Sequence, residues 1–138
     1  MKKFIISILL VLPLFVTNIY AQKPAVMISD EPGWHKIGQL TASFKMEKEE
    51  LIVMGADKFK SIKIKVVDAP IHITYLEIYY ESGDMETITF NTDLKAGEES
   101  KVYNLKGIEK ELKKVVFYYG TMANQKSDKA TVEVYGLK

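Results

Sequence analysis

Two histidines, His35 and His72, are the side chains best suited to moving a proton at neutral pH or to holding zinc. Neither has a second histidine at the short spacing that a metal site uses. His72 sits between Ile71 and Ile73, so in an extended strand it faces away from two core aliphatics. His35 stands in the same relation to Trp34. Both read as solvent-side strand residues. No serine occupies a G-x-S-x-G elbow, and the chain has no cysteine. Thiolate metal sites, cysteine nucleophiles, disulfides and a lipid on cysteine are thereby excluded. The expectation is no catalytic residue, no cofactor and no metal.

Carboxylates gather in two loops. Glu81, Asp84 and Glu86 surround one turn, and Asp93, Glu98 and Glu99 flank Gly97. Oxygen ligands from adjacent loops are what calcium takes, which makes Glu81, Asp84 and Asp93 the calcium candidates. Neither loop has the D-x-[DN]-x-[DN]-G pattern, and acidic residues also serve simply to solubilise turns. Two carboxylates ~5–10 Å apart could hydrolyse a glycosidic bond. Tyrosines form the third group. The adjacent pairs Tyr79-Tyr80 and Tyr118-Tyr119 must place one ring on each face of a strand. Tyr80 and Tyr119 fit the core parity, so Tyr79, Tyr118 and Tyr135 are expected outside. There they could stack on a sugar or anchor a partner, or else pack across strands.

The elements that position these groups follow from apolar periods. Residues 60–67 alternate most cleanly, with Ile62, Ile64 and Val66 inward and Lys63 and Lys65 outward. Trp34, Leu40, Ala42, Phe44 and Met46 share one parity and predict a strand with one wet side. Residues 47–50 read as a charged turn and 51–54 as a short strand. Ile71 and Ile73 lie on the opposite parity from Leu76, Ile78 and Tyr80, which predicts a bulge near Thr74-Tyr75. A hairpin turn at Ser82-Gly83 returns the chain as 85–90, and 91–100 reads as a polar connection. Short strands are predicted at 101–105, 112–119 and 130–135, with Gly136 as a stop. The stretch 108–114 has helical spacing but precedes strongly β-prone residues, so at most a helical turn is expected there. The sum is an all-β, jelly-roll-like antiparallel sandwich of about eight strands. No long amphipathic helix supports a parallel βαβ plan.

The first 21 residues have a different logic. Lys2 and Lys3 precede an apolar run from Phe4 to Val16, and Ile19-Tyr20-Ala21 offers a cleavage site. That is the layout of a secretory signal peptide. A membrane anchor is the alternative, but the run falls short of the ~18–20 residues that span a bilayer and Pro13 interrupts it. The expected organisation is a leader at 1–21, a loose lead-in at 22–33 and one domain at 34–138. Cleavage leaves 138 − 21 = 117 residues and changes the net charge from +1 to +1 − 2 = −1. All 19 basic residues are lysines. Near-neutral charge without the arginine fork argues against nucleic acid as a partner.

The pattern resembles a family of small secreted bacterial proteins of unknown function. The matching residues are Trp34 and Gly38 near the start, the S-G hairpin at Ser82-Gly83, and the segment Gly97, Ser100, Lys101, Val102 and Leu105. The closing Ala130, Val132, Val134 and Gly136 complete the match. The likeness runs over about residues 34–136. It differs where the family often has Gly-Gly and this chain has Ala96-Gly97 and Lys106-Gly107. The resemblance implies the sandwich and no activity. Taken together, these features predict an exported protein, periplasmic or extracellular, without enzymatic activity and without a membrane span once the leader is cut. It would bind an envelope component or act as a structural accessory. The alternatives are a carbohydrate-binding module using the outward tyrosines and, more remotely, a glycan hydrolase using loop carboxylates.

Overall fold

The computed structural model describes residues 31–55, 57–122 and 125–138. The expected leader and most of the lead-in lie outside the described residues. Eight strands follow one another: β1 (Trp34–Ser43), β2 (Lys48–Ile52), β3 (Ser61–Val66), β4 (Ile71–Tyr80), β5 (Met85–Leu94), β6 (Tyr103–Asn104), β7 (Leu112–Gly120) and β8 (Lys129–Leu137). There is no helix among the described residues. Two antiparallel four-stranded sheets form, in the orders β1-β8-β3-β6 and β2-β7-β4-β5. First pairs with last, second with second-last, and so inward to the β4–β5 hairpin. A long hairpin of this kind, wrapped so that β3 meets β8 and β4 meets β7, is a jelly roll.

Period-two patterning fills the space between the sheets. Ile62, Ile64 and Val66 of β3 are fully buried against Ile71, Ile73, Leu76 and Ile78 of β4, Val115 and Phe117 of β7, and Val132 and Val134 of β8, all in one apolar cluster. Each such side chain contributes about 1.5–3 kcal/mol by leaving water. Tyr80 and Tyr119 are buried, as the parity of the tyrosine pairs requires. The register shifts between Ile73 and Tyr75, where the change of parity demands an extra residue.

Several local expectations are corrected. Trp34 does not share a face with Leu40 and Ala42. A bulge between Lys36 and Gly38 inserts Ile37, which turns into the core, so Trp34 emerges on the outer surface opposite Leu137. His35 changes sides with it: it pairs with Gly136, and its Nε2 lies 2.6 Å from the carbonyl of Glu31. Met46 lies past the end of β1 and is exposed. The charged run 47–50 is mostly strand, because Lys48 and Glu50 point outward while Glu49 and Leu51 face inward along β7. β5 continues past Phe90 to Leu94, passing through Asn91 at φ +44. Residues 108–110 make a turn, closed by the Lys110 amide donating to the Gly107 carbonyl, and β7 begins at Leu112. Gly136 is no stop and lies within β8.

The lead-in is not wholly loose. Gly33 and Lys138 exchange two backbone hydrogen bonds, of 3.2 and 3.0 Å. The Lys138 ammonium sits 2.7 Å from the Asp57 carboxylate, with both side chains largely covered.

Candidate functional site

Outward side chains of β2, β7, β4 and β5 form a grid, because antiparallel register aligns them in rows. One row runs Ile52, Lys114, Tyr79, Met85; the next Glu50, Val116, Glu77, Thr87; the third Lys48, Tyr118, Tyr75, Thr89. His72 and Asp93 pair beyond them, with Nδ1 2.6 Å from the carboxylate.

Glu77 is the centre of this face. The hydroxyl of Tyr79 donates to it at 3.0 Å, and the hydroxyl of Tyr118 also hydrogen-bonds its carboxylate. These bonds, Tyr118's first, with help from Lys48 and Lys114, hold the Glu77 carboxyl below its usual range despite partial desolvation. The same bond to Glu77 raises the phenols of Tyr79 and Tyr118. The ring of Tyr118 stacks on Tyr75 with centroids 4.2 Å apart. Lysines take up further ring surface: Lys48 lies 5.6 Å from the Tyr118 centroid and Lys114 4.7 Å from that of Tyr79. Val116 points out of the sandwich yet is buried among these groups.

The opposite outer face repeats the motif. The hydroxyl of Tyr135 hydrogen-bonds Glu133, which lowers the carboxyl and pushes the phenol up to about 12. Lys36 pairs with Glu133 at 3.2 Å, and Lys63 lies 4.6 Å from the Trp34 ring centroid and 3.3 Å from Glu99. Tyr79 and Tyr118 therefore share one surface, and Tyr135 belongs to the other side of the molecule.

The carboxylates considered for calcium do not come together. Glu81 and Asp84 sit at the β4–β5 turn, where Asp84 is held by Lys110 at 2.6 Å and by Ser82. Asp93, paired with His72, lies nine residues along the strand from Asp84, on the order of 25–30 Å away. Glu86 is occupied by the backbone amide of Lys106. Among the described residues no group of three histidine or acidic side chains could hold a metal ion.

Glu77, Lys48, Lys114, Ile52 and Met85 were not singled out from the sequence. A readable signal existed for Glu77: Glu-x-Tyr occurs at 77–79 and 133–135, and a two-residue spacing in a strand puts both groups on one face.

A depressed carboxyl stabilises the fold while ionised. That contribution is complete above the unfolded carboxylate range, about pH 4.5, and disappears as pH falls through the lower folded value. Asp68, Asp84 and Glu133 act in the same direction as Glu77. Thermal melts from pH 6 to pH 2.5 should show the wild type losing stability on acidification. Glu77→Gln should show a flatter acid limb, and parallel curves would remove Glu77 from the account.

Residues 5–136 match the family model described as Domain of unknown function (DUF2541). No curated protein and no solved structure matches the chain.

Proposed function

We propose, starting from a chain that belongs to the DUF2541 family of domains of unknown function, that the protein is an exported, non-enzymatic binding module of the cell envelope. Its contact surface is the outer face of the β2-β7-β4-β5 sheet. One observation carries this reading. In the row Ile52, Lys114, Tyr79, Met85, the two ends are apolar and stand open to solvent, at 56% and 48% exposure. Neither belongs to the core cluster, and Met54, two residues past Ile52, is equally open. Apolar, methionine and tyrosine side chains with charged groups around them are the composition of a contact patch.

The carbohydrate alternative draws on Tyr79 standing beside the hydrogen-bonding Glu77. Against it, Tyr75, Lys48 and Lys114 already lie against the rings of Tyr118 and Tyr79, so a sugar must displace them to stack. The hydrolase alternative needs facing carboxylates, and the loop candidates are dispersed or engaged.

Photo-crosslinking side chains placed at Ile52, at Met85 and, as a control, at exposed Thr41 test the surface in intact cells. Adducts to a different envelope component from 52 and 85, absent from 41 and lost on Tyr79→Ala, are the expected result. Equal labelling from all three positions, or none from 52 and 85, overturns the reading. Polysaccharide retention abolished by Tyr79→Ala or Tyr118→Ala would transfer it to glycans. The exported product should have the intact mass of a chain starting at Gln22, and retention of Met1 would refute cleavage.

A further inference from the structure

Four strands end the two sheets: β1 and β6 in one, β2 and β5 in the other. Each has one side of its backbone outside the ladder, and an edge of that kind pairs with other chains unless something blunts it. Three of the four are blunted. β6 is two residues long. β2 has five residues, of which Lys48, Glu49 and Glu50 are charged. β1 is broken by the bulge at Ile37. β5 is different: it runs for ten residues without a lysine or a proline, its inward-facing charge at Glu86 is taken up by the Lys106 amide rather than left to repel a neighbour, and β-branched Thr87, Ile88 and Thr89 follow it. Among the described residues, no loop supplies a backbone partner to Met85–Thr89.

The hairpin settles which groups face outward. The Tyr80 amide donates to the Asp84 carbonyl, the Gly83 amide donates to the Tyr80 carbonyl, and Gly83 has φ +92. This is the three-residue turn with a left-handed last residue. From Tyr80 and Asp84 outward, antiparallel residues alternate between bonding the neighbour and facing away. Glu86 and Ile88 therefore direct their N–H and C=O toward β4, opposite Ile78 and Leu76. Met85, Thr87 and Thr89 direct theirs to the free side, and all three are exposed. Asn91, at φ +44, bends the strand and ends the straight edge. What remains is a five-residue edge centred on Thr87.

We infer that β5 pairs antiparallel with β5 of a second copy of this chain, about a two-fold axis at Thr87. Thr87 exchanges two backbone hydrogen bonds with the partner's Thr87. Met85 and Thr89 exchange theirs with the partner's Thr89 and the partner's Met85, about six bonds in all. The register is self-complementary in side chains too. Threonine meets threonine on the axis, and Glu86 falls opposite the partner's Ile88, so no like charges oppose. The two β2-β7-β4-β5 sheets become one of eight strands, and a closed two-fold contact leaves neither β5 edge open to further growth.

Sedimentation velocity on the exported product of the full chain, over ~1–200 µM, tests this. The wild type should sediment with twice the chain mass. Thr87→Lys and Thr87→Glu place like charges on the axis, and each should weaken association by about tenfold or more, with far-UV circular dichroism unchanged and Tm lower only by the concentration-dependent part that the dimer supplies. Mixing the two variants in equal amounts should restore a dimer containing one of each. A single-chain mass for the wild type at the highest concentration overturns the proposal. So does a dimer indifferent to both variants, or a mixture that does not reassociate. Tyr79→Ala should leave the dimer intact, which separates failure here from failure of the outer-face reading. A crosslink from Met85 to a second copy is likewise recognised by its doubled mass.

Discussion

Ile64→Asp is expected to remove a large share of the folding stability. Ile64 lies in the middle of β3, fully buried, paired with Val134 of β8 and packed in the cluster that joins the two sheets. Aspartate there removes the aliphatic side chain and puts a carboxylate where no described basic group belongs to the surrounding cluster. The combined cost is about 4 kcal/mol or more, set against the ~5–15 kcal/mol total of a typical domain. Lys63→Asp, one position away, makes the same chemical change on the wet face. It gives up the contact with Glu99 at 3.3 Å and the cation over the Trp34 ring, and it adds a charge that Glu99 repels. About 1 kcal/mol is expected, because pairs at the surface are screened. Urea denaturation of both variants measures the contrast, and equal losses would refute the assignment of faces along β3.

Gly136→Ala is the second large effect, and it comes from one methyl group. A Cβ at Gly136 would lie 2.4 Å from Cδ1 of Phe59, 2.7 Å from its Cγ and 2.8 Å from Cδ1 of Ile37. Phe59 is itself buried, so its ring has no free space to enter. Overpacking of this kind costs about 2–3 kcal/mol. Gly120→Ala is the matched control: Gly120 also lies in a strand, has an ordinary φ, and a Cβ there meets nothing within 4 Å. That change should shift stability by less than about 0.5 kcal/mol. If ring crowding is the cause, Phe59→Leu combined with Gly136→Ala should cost less than the two single changes summed. Strict additivity would assign the loss to something other than the Phe59 contact.

How far the sequence reached is clear from particular residues. Alternation placed Ile62, Ile64 and Val66 inward and Tyr80 and Tyr119 with them, since a strand leaves each side chain only two directions. The extra residue near Thr74-Tyr75 was legible because apolar parity changes there. The one at Ile37 was not: Trp34 on the wrong side of it is as apolar as Leu40 and Ala42, so the parity looks unbroken. Gly136 read as a stop because an isolated glycine carries the same signal for a turn as for a close approach, and the side chains that distinguish them, Phe59 and Ile37, lie 77 and 99 residues away in the chain. The site was half visible. Parity told outside from inside for Tyr79, Tyr118 and Tyr135, but not which sheet each belongs to, and strand order depends on pairings between distant segments. Nor could it show that Lys48 and Lys114 lie against the tyrosine rings.

The nested pairing has a consequence for the order of events when the protein is made. The β1-β8 ladder pairs Ser43 with Lys129 at one end and Trp34 with Leu137 at the other, so it cannot start until the chain has been synthesised past β7. Contacts of such long sequence separation make folding slow. Until β8 arrives, β1 and β3 lack the strand that lies between them, so that sheet cannot close and the inner faces of both strands wait uncovered.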